Sequence, residues 1–350
     1  MDYHEATDFI FGLRRFRPSP GTKSTRAFLE HLGNPHEDVA FVQVAGSNGK
    51  GSTARMLDAI LGETELSVGL FTSPHLEDVR ERIRIDGRKI PKQAFTQFAT
   101  ETQGYVNDRA ANGNSPTFFE TMTTLALWYF GQQDVDVAIL EVGIGGRYDA
   151  TSVVDPVASA VTTVSLEHTG IIGETIEEIA EDKAQVAPAD APLVTGTTGT
   201  ALETVRGEAE SVVTVGEAGT LESGGDPDVV VAYEGRTNHA ESAIILEGRD
   251  WSVRARVPML GRYQAQNAGV AATLARQVTA VDEATIARGL GNAHWPGRFE
   301  VMGRDPLVVL DGAHNPGACR TLEETLSSFD YDDLTIVFGA MHDKDHREMA

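Results

Sequence analysis

The sequence predicts an α/β protein built on a mostly parallel sheet, with a second, smaller α/β domain at its C-terminal end. Short apolar, β-branched runs at 41–45, 68–72, 135–140 and 157–164 alternate with longer segments that are apolar at helical spacing. Strands that alternate with helices form parallel sheets, and such sheets bind ligands beyond the carboxyl ends of their strands. A glycine-rich loop and several polar residues follow these runs, so we expect the functional site there.

The composition narrows the class of partner. The chain has 350 residues and a formal net charge of −23, which argues against nucleic acid or an anionic membrane as a partner because both require a basic surface. Only six of the basic residues are lysines. An acidic, lysine-poor surface is typical of a high-salt cytoplasm, where ions screen the self-repulsion, so the sequence predicts a halophilic source.

No part of the chain reads as a targeting or membrane segment. The first residues include Asp2, Glu5 and Asp8 and lack an apolar stretch of signal-peptide length. No run approaches the roughly 20 apolar residues that span a bilayer. Cys319 is the only cysteine, so the chain cannot form an internal disulfide. We expect a cytoplasmic protein.

The stretch 41–61 has the layout of a phosphate-binding loop. An apolar strand leads into the loop AGSNGKGST at 45–53, and a segment apolar at helical spacing follows. The glycines allow backbone N–H groups to converge on phosphate oxygens, and the helix N-terminus adds a positive dipole end. Lys50 would reach the β- and γ-phosphates, and Ser52 or Thr53 would hold Mg²⁺. The alternative is a turn that merely joins strand to helix, since the spacing departs from the common G-x-x-x-x-G-K-[ST] pattern.

The chain divides into two predicted domains, 1–296 and 297–350. Within the first, residues 193–257 form short β-like runs between Gly-rich, acidic turns and read as a β-rich elaboration at the edge of the sheet. In the second we predict strands at 307–310 and 334–338 around a helix at 318–327. Two parallel strands cannot bury both faces of a sheet, so we expect this Rossmann-like domain to be truncated or completed by residues outside the given sequence.

Polar residues end three of the predicted strands. Ser73 follows the second, Glu141 ends the third and His168 follows the fourth. A carboxylate in this place is suited to Mg²⁺ or to positioning water in a phosphate-loop enzyme. An ordinary strand-end acid and a structural histidine are the alternatives. The loop GIGG at 143–146 favours function, because its glycines permit a close backbone approach.

Lys183 is unusual because it lies on the apolar stripe of the helix predicted over 175–187. A charge in that position must be paired, neutralised or modified, unless the lysine reaches solvent from the edge of the stripe. Three further candidates lie in the second domain, where Asp311 and His314 share a strand-end loop and Arg298 lies on the interdomain turn. For these three the residues by themselves favour a structural role.

Together these stretches resemble the folylpolyglutamate synthase and dihydrofolate synthase branch of the Mur ligase superfamily. The resemblance runs in order from about residue 9 to the end, through ten motifs. They include AGSNGKGS at 45–52, FTSPHL at 71–76, TFFE at 117–120, LEVGIGGRYDAT at 140–151, EEIAEDKA at 177–184 and LDGAHNP at 310–316. Departures are Ser47, where the family often has Thr, and Ser152, where Asn is usual.

The resemblance implies a P-loop Mur-ligase-type central domain and an ATP-dependent ligase that joins L-glutamate to a folate or pteroate carboxylate through an acyl phosphate. It implies nucleotide contacts from two groups of residues and a metal site. The phosphate-loop contacts are Gly46, Asn48, Gly49, Lys50, Gly51, Ser52 and Thr53, and those further along are Asn267, Arg298 and Asp311. The metal ligands are Ser73, Glu141 and His168. Lys50, Lys183 and His314 are the implied catalytic residues.

The same resemblance implies two Mg²⁺ ions, one of them supported by a carbamylated Lys183, and a monomer. A Mur-type ligase acting on a cell-wall precursor is the alternative within the same fold. A regulatory nucleotide-binding ATPase is the alternative from another class, because a phosphate loop by itself indicates a triphosphate and no particular reaction.

Overall fold

A computed structural model describes residues 1–16, 21–167, 169–221, 224–341 and 346–349. The helices are α1 (Tyr3–Gly12), α2 (Lys23–His31), α3 (Lys50–Leu61), α4 (Lys92–Ala111), α5 (Phe118–Gln132), α6 (Thr169–Ile172), α7 (Ile176–Ala184), α8 (Gly199–Glu208), α9 (Tyr263–Val278), α10 (Glu283–Asn292), α11 (Pro316–Leu326) and α12 (His346–Met349). The strands are β1 (Ala40–Ala45), β2 (Val68–Phe71), β3 (Ile83–Ile85), β4 (Arg88–Lys89), β5 (Val137–Glu141), β6 (Ala158–Val161), β7 (Leu193–Thr195), β8 (Val212–Gly216), β9 (Val229–Arg236), β10 (Ser242–Glu247), β11 (Ser252–Val257), β12 (Glu300–Arg304) and β13 (Leu307–Leu310). The predicted α/β class is confirmed.

The main sheet has eleven strands in the order β11-β10-β9-β8-β7-β6-β1-β5-β2-β3-β4. Its central strands β2, β5, β1, β6, β7 and β8 are parallel to their neighbours within this group. The register pairs Val44 with Glu141 and Ala45 with Val161. The strands β1, β5 and β6 therefore end side by side, and the residues that follow them meet at one edge of the sheet.

Apolar side chains cover both faces of the sheet. On one face α3, α9 and α10 pack against the strands, with Leu57, Ile60 and Leu274 fully buried. On the other face α1, α2, α4 and α5 pack, with Phe28, Phe98 and Phe130 fully buried. Because strands buried on both faces cannot alternate polar with apolar residues, the central strands read as continuous apolar runs, which is how the sequence revealed them. Among the described helices, none is long and apolar enough to cross a membrane.

The segment 193–257 corrects the predicted β-rich elaboration. Its first part continues the parallel sheet through β7, α8 and β8, whose crossover helix was not predicted. Only β9, β10 and β11 form the antiparallel ribbon, which lies at one edge of the sheet as expected. The helix was missed because its residues include two glycines and four threonine or glutamate residues, which leave little apolar periodicity.

The C-terminal part also differs from the prediction. Strand β13 forms as predicted, but it pairs antiparallel with β12, which the sequence did not indicate. The predicted strand at 334–338 is wrong, since this segment carries no strand pairing and Val337 is 98% exposed. A strand requires a neighbour to satisfy its backbone hydrogen bonds, and apolar β-branched composition does not supply one.

Asp58 provides a test of the packing on α3. Its carboxylate is 4% exposed and pairs with Arg55 at 2.6 Å, and burial raises the pKa of Asp58 to about 6 despite that partner. The folded protein therefore holds this proton more tightly than the unfolded chain, so stability falls as pH rises between about 4 and 6. We expect Asp58→Asn to remove this loss, which amounts to at most about 3 kcal/mol in the free energy of unfolding.

The measurement is denaturant unfolding of wild type and Asp58→Asn at pH 4 and pH 7.5 in one high-salt buffer. The free energy of unfolding of Asp58→Asn should increase relative to that of wild type as the pH rises. Glu65→Gln, which replaces an exposed acid, is the matched control and should show no such gain. A difference between Asp58→Asn and wild type that is the same at both pH values would contradict the prediction.

Candidate active site

The loop between β1 and α3 is held in a conformation that requires glycine at two positions. Gly46 and Gly49 both have positive φ angles, +141° and +86°, which other residues rarely adopt. A Cβ atom at Gly46 would lie 2.0 Å from Thr162 Oγ1, and one at Gly49 would lie 2.4 Å from Asn267 Oδ1. The loop is therefore pressed between the end of β6 and the start of α9, with the N-terminus of α3 facing the space above the sheet.

Lys50 and Ser52 face a cavity of about 460 Å³ at this edge of the sheet. Lys50 Nζ donates to Gly46 O at 2.8 Å and to Ser47 O at 3.3 Å, so the ammonium lies over the loop. Thr53 differs from Ser52. It is fully buried, it does not line the cavity, and its hydroxyl has no hydrogen-bond partner in the described structure. Of the two hydroxyls that the sequence offered for Mg²⁺, the geometry favours Ser52.

Glu141 lies at the end of β5 beside the loop. Its carboxylate is 5% exposed, and its Oε2 accepts a hydrogen bond from Ser73 N at 2.7 Å. Burial raises the pKa of Glu141, and the Lys50 ammonium opposes that shift. A Cβ atom at Gly51 would lie 3.2 Å from Glu141 Oε1, so the glycine lets α3 approach the carboxylate closely. A buried carboxylate next to a lysine and a phosphate loop is suited to holding a cation.

The predicted metal set is only partly visible. His168 lies outside the described residues, and the part of the chain that is described holds no cluster of three or more His, Cys, Asp and Glu side chains suited to a metal. Ser52, Ser73 and Glu141 do line one cavity. Their donors are oxygen atoms, which Mg²⁺ prefers, and Mg²⁺ keeps several waters when it binds few protein ligands. This donor set fits Mg²⁺.

Lys183 is buried, as the apolar stripe indicated, and is 1% exposed. Its Nζ donates to Glu167 Oε1 at 3.0 Å and to Gly46 O at 3.1 Å. Burial lowers the pKa of Lys183, and the Glu167 carboxylate opposes that shift. Burial by itself would raise the pKa of Glu167, but the charges of Lys183 and then Lys50 outweigh it and lower that pKa. Lys183 thus supports the phosphate loop from beneath.

The glycine-rich loop after Glu141 positions Lys183. A Cβ atom at Gly145 would lie 2.1 Å from Asp182 Oδ2, and one at Gly146 would lie 2.8 Å from Lys183 O. Gly146 N donates to Asp182 Oδ2 at 2.9 Å. The close approach that the glycines permit is therefore made to α7, the helix that carries Lys183, while Gly143 lines the cavity.

The second group of candidates closes the cavity from the other side. Asn267, Arg298, Asp311 and His314 all line it. Asp311 accepts from Phe299 N and Ala313 N, each at 2.7 Å, so its carboxylate also holds the turn that joins the two regions. The structure thus brings these residues, distant in sequence, to the phosphate loop.

Sequence reasoning missed several residues that line the cavity. They are Thr163, Ser165, Glu167, Tyr263, Gln266 and Asn315. Glu167 stood next to a candidate histidine and was given no role, although its pairing with Lys183 makes it part of the site. Burial raises the pKa of Tyr263 to about 12, so its hydroxyl stays protonated. An acid or hydroxyl at the end of a strand is too common a pattern to reveal such partners, because the pairing is made across the fold.

Two family models match the chain. Residues 44–275 match the Mur ligase middle domain, and residues 297–350 match the Mur ligase glutamate ligase domain. The chain is 63% identical to a probable bifunctional folylpolyglutamate synthase/dihydropteroate synthase of Haloferax volcanii over all of its own length, and 33% identical to the dihydrofolate synthase/folylpolyglutamate synthase of Bacillus subtilis over 99% of its length. It covers 42% of the first relative and 81% of the second.

Solved structures of folylpolyglutamate synthases have a similar fold. A folylpolyglutamate synthase complex with AMPPCP and folate superposes with a TM-score of 0.85 at 31% identity, covering 93% of this chain and 80% of that one. The Mycobacterium tuberculosis folylpolyglutamate synthase complexed with ADP superposes with a TM-score of 0.88 at 28% identity, covering 99% of this chain and 78% of that one. The fold and the matched domains are those of the Mur ligases. Within that class, the chain belongs to the folylpolyglutamate synthase/dihydrofolate synthase family.

The phosphate loop yields a direct prediction. We expect Gly49→Ala to lower the affinity for an ATP analogue at least tenfold, because the new methyl group meets Asn267 and the backbone angle disfavours any side chain. Gly104→Ala is the matched control, since a Cβ atom there meets nothing within 4 Å, and it should leave affinity unchanged. Calorimetric titration with AMPPCP measures both. Equal affinities for Gly49→Ala and wild type would rule out nucleotide binding at this loop.

Proposed function

We propose that this protein is an ATP-dependent ligase that adds L-glutamate to the carboxylate of a folate or a dihydropteroate through an acyl phosphate. The observation that carries the proposal is the shared cavity, in which Lys50, Glu141, Arg298 and Asp311 surround one space. Similarity to relatives named for this activity supports it. The chain spans 42% of the length of its haloarchaeal relatives. The activity of the whole protein is therefore part of this proposal.

Each charged group has a task in this chemistry. A substrate carboxylate oxygen attacks the γ-phosphorus and ADP leaves, after which the glutamate amine attacks the acyl carbon, loses a proton and displaces phosphate. Lys50 stabilises the negative charge on the transferred phosphoryl group. Ser52, Ser73 and Glu141 would hold Mg²⁺, which neutralises charge on the phosphates when bound. Arg298 and Asn267 bind the nucleotide from the opposite wall.

The arrangement of the chain suits a reactive intermediate. Acyl phosphates hydrolyse readily, and a site enclosed between two regions of a protein excludes water. We propose that residues 1–296 form the ATP-binding domain and residues 297–350 the start of the ligase domain. The separate sheets, one ending at β11 and one formed by β12 and β13, support this division. His314, whose Nδ1 lies 2.8 Å from Gly312 O, lines the cavity together with residues of both regions.

We also propose that Lys183 is carbamylated in the working enzyme and supports a second Mg²⁺. Burial lowers the pKa of Lys183, which increases the share of neutral amine that can attack CO₂. A carbamate would convert the cation beneath the loop into an anion. The ion pair with Glu167 is the form that the unmodified lysine takes.

We propose that the protein acts as a monomer, as the resemblance to its family implies. ATP and glutamate are cytoplasmic metabolites, which supports action in the cytoplasm. A Mur-type ligase of cell-wall precursors and a regulatory ATPase remain the alternatives that an activity assay must separate.

The assay measures ADP release with glutamate plus dihydropteroate, and with glutamate plus folate. We expect release to depend on glutamate and on at least one of these acceptors, because the phosphoryl group is transferred to the acceptor carboxylate. Omitting glutamate or supplying a cell-wall peptide precursor provides the controls. ADP release that is indifferent to both acceptors would refute the folate assignment.

Lys183 variants separate a carbamate from an ion pair. We expect Lys183→Ala to abolish activity, with no recovery on adding bicarbonate, because the amine is gone. Lys183→Arg retains a cation for Glu167 but cannot form the carbamate, so it should be inactive while losing less stability than Lys183→Ala. Activity of either variant within about tenfold of wild type would remove the carbamate proposal, and thermal unfolding reports on the ion pair separately.

A further inference from the structure

A direct hydrogen bond joins the phosphate loop to the start of α11, the first helix of the C-terminal α/β unit. Asn315 Nδ2 donates to Asn48 Oδ1 at 3.0 Å, across 267 positions of sequence. Both residues line the cavity. Asn48 is a predicted nucleotide contact, but Asn315 was given no role by the sequence. The bond therefore connects the part of the chain that carries the triphosphate site to the part that closes over it.

The hydrogen bonds of Asn315 fix the orientation of its side-chain amide. Asn315 is the N-cap of α11, and its Oδ1 accepts from Ala318 N at 2.8 Å. A backbone N–H can only donate, so the oxygen of the amide must face the helix and the NH₂ group must face Asn48. One side chain thus does two things at once, since it begins the helix and ties that helix to the loop.

Asn48 is held firmly on the other side of the bond. Its N donates to Thr163 Oγ1 at 3.0 Å, and its O accepts from Thr162 Oγ1 at 2.7 Å. Both threonines directly follow β6, so the backbone of Asn48 is fixed to the end of the sheet. Gly317 lets the two amides meet, because a Cβ atom there would lie 3.3 Å from Asn48 Nδ2 and 3.5 Å from Asn315 Oδ1.

The far end of α11 has its own attachment. Arg236 Nη2 donates to Ser328 O at 3.0 Å, and the guanidinium lies 3.7 Å from the centre of the Phe329 ring. Phe329 also stacks on Phe299 with 5.3 Å between ring centres. These contacts of Phe329 do not depend on the Asn48–Asn315 bond at the other end of α11. Loss of the Asn48–Asn315 bond should therefore free the first turn of α11 and the loop before it, while the end of the helix remains attached.

We propose that Asn315 is a positioning residue, which, through Asn48, holds the first turn of α11 and the loop 311–315 against the phosphate site. Its effect on nucleotide affinity rests on the proposed function, whereas its effect on the loop does not. Asp311 and His314 lie in the segment that it holds, so the bond sets where these side chains stand before the nucleotide arrives. Prior positioning of this kind improves binding, because less freedom is lost when the ligand binds.

The test separates the bond from the helix cap. Asn315→Ser keeps an oxygen that can cap α11 but is too short to reach Asn48, and Asn315→Ala loses both. Hydrogen exchange of the ligand-free protein should rise about fivefold for the amides of residues 312–315, 317 and 318 in Asn315→Ser, as expected for one net hydrogen bond. The affinity for AMPPCP should fall by a similar factor. Asp282→Ala removes the matching cap of α10, a 2.7 Å bond to Thr285 N, and should change neither quantity.

Asn48→Ala tests the bond from the other side and guards against a folding defect at Asn315. It should raise exchange at 312–318 as much as Asn315→Ser does, and the double variant should be no worse than either single variant, because both remove the same bond. Additive effects on exchange would overturn the proposal, as would exchange at the wild-type rate in Asn315→Ser, because that variant keeps the cap and loses only the bond to Asn48. If wild type fails to bind AMPPCP, the proposed function falls while the exchange data still decide the role of Asn315.

Discussion

The structure depends on the position of β1 between β5 and β6. Parallel pairing on both sides brings the ends of three strands to one edge, and the register places Glu141 beside Val44 and Val161 beside Ala45. The phosphate loop must leave β1 at that point, because α3 begins five residues after Ala45 and packs back on the sheet. Every other feature of the site is built around this turn.

Two charged groups are buried around it, and each has a group of opposite charge nearby. Lys183 lies beneath the loop with Glu167 as its partner, and Glu141 lies beside the loop facing Lys50. A buried charge without a partner would cost several kcal/mol, so these groups constrain one another and the loop they contact. The glycines at 145 and 146 contribute to this arrangement, because they allow α7 to pack closely and to bring Lys183 to the phosphate loop.

The second region contributes through contacts that are few and specific. Asp311 holds the turn at Phe299, and Asn315 reaches Asn48. Phe299 has a φ of +45°, a left-handed value that a bulky residue adopts only when its surroundings enforce it. The carboxylate of Asp311, which accepts from its N–H, and the ring of Phe329 supply that enforcement. The connection between the two regions is thus shaped by the residues that also line the cavity.

The sequence by itself determined the α/β class, the central strands and the phosphate loop, because burial on both faces and the need for positive φ leave marks in residue type. It also singled out Lys183, since a charge on an apolar stripe is visible in the helical spacing. Only the tertiary structure decided the pairing of Glu167 with Lys183, the contact of Asn315 with Asn48 and the antiparallel pairing of β12 with β13. Each depends on a partner distant in sequence, and the failure of 334–338 to form a strand has the same cause, because a strand exists only where a neighbour accepts its hydrogen bonds.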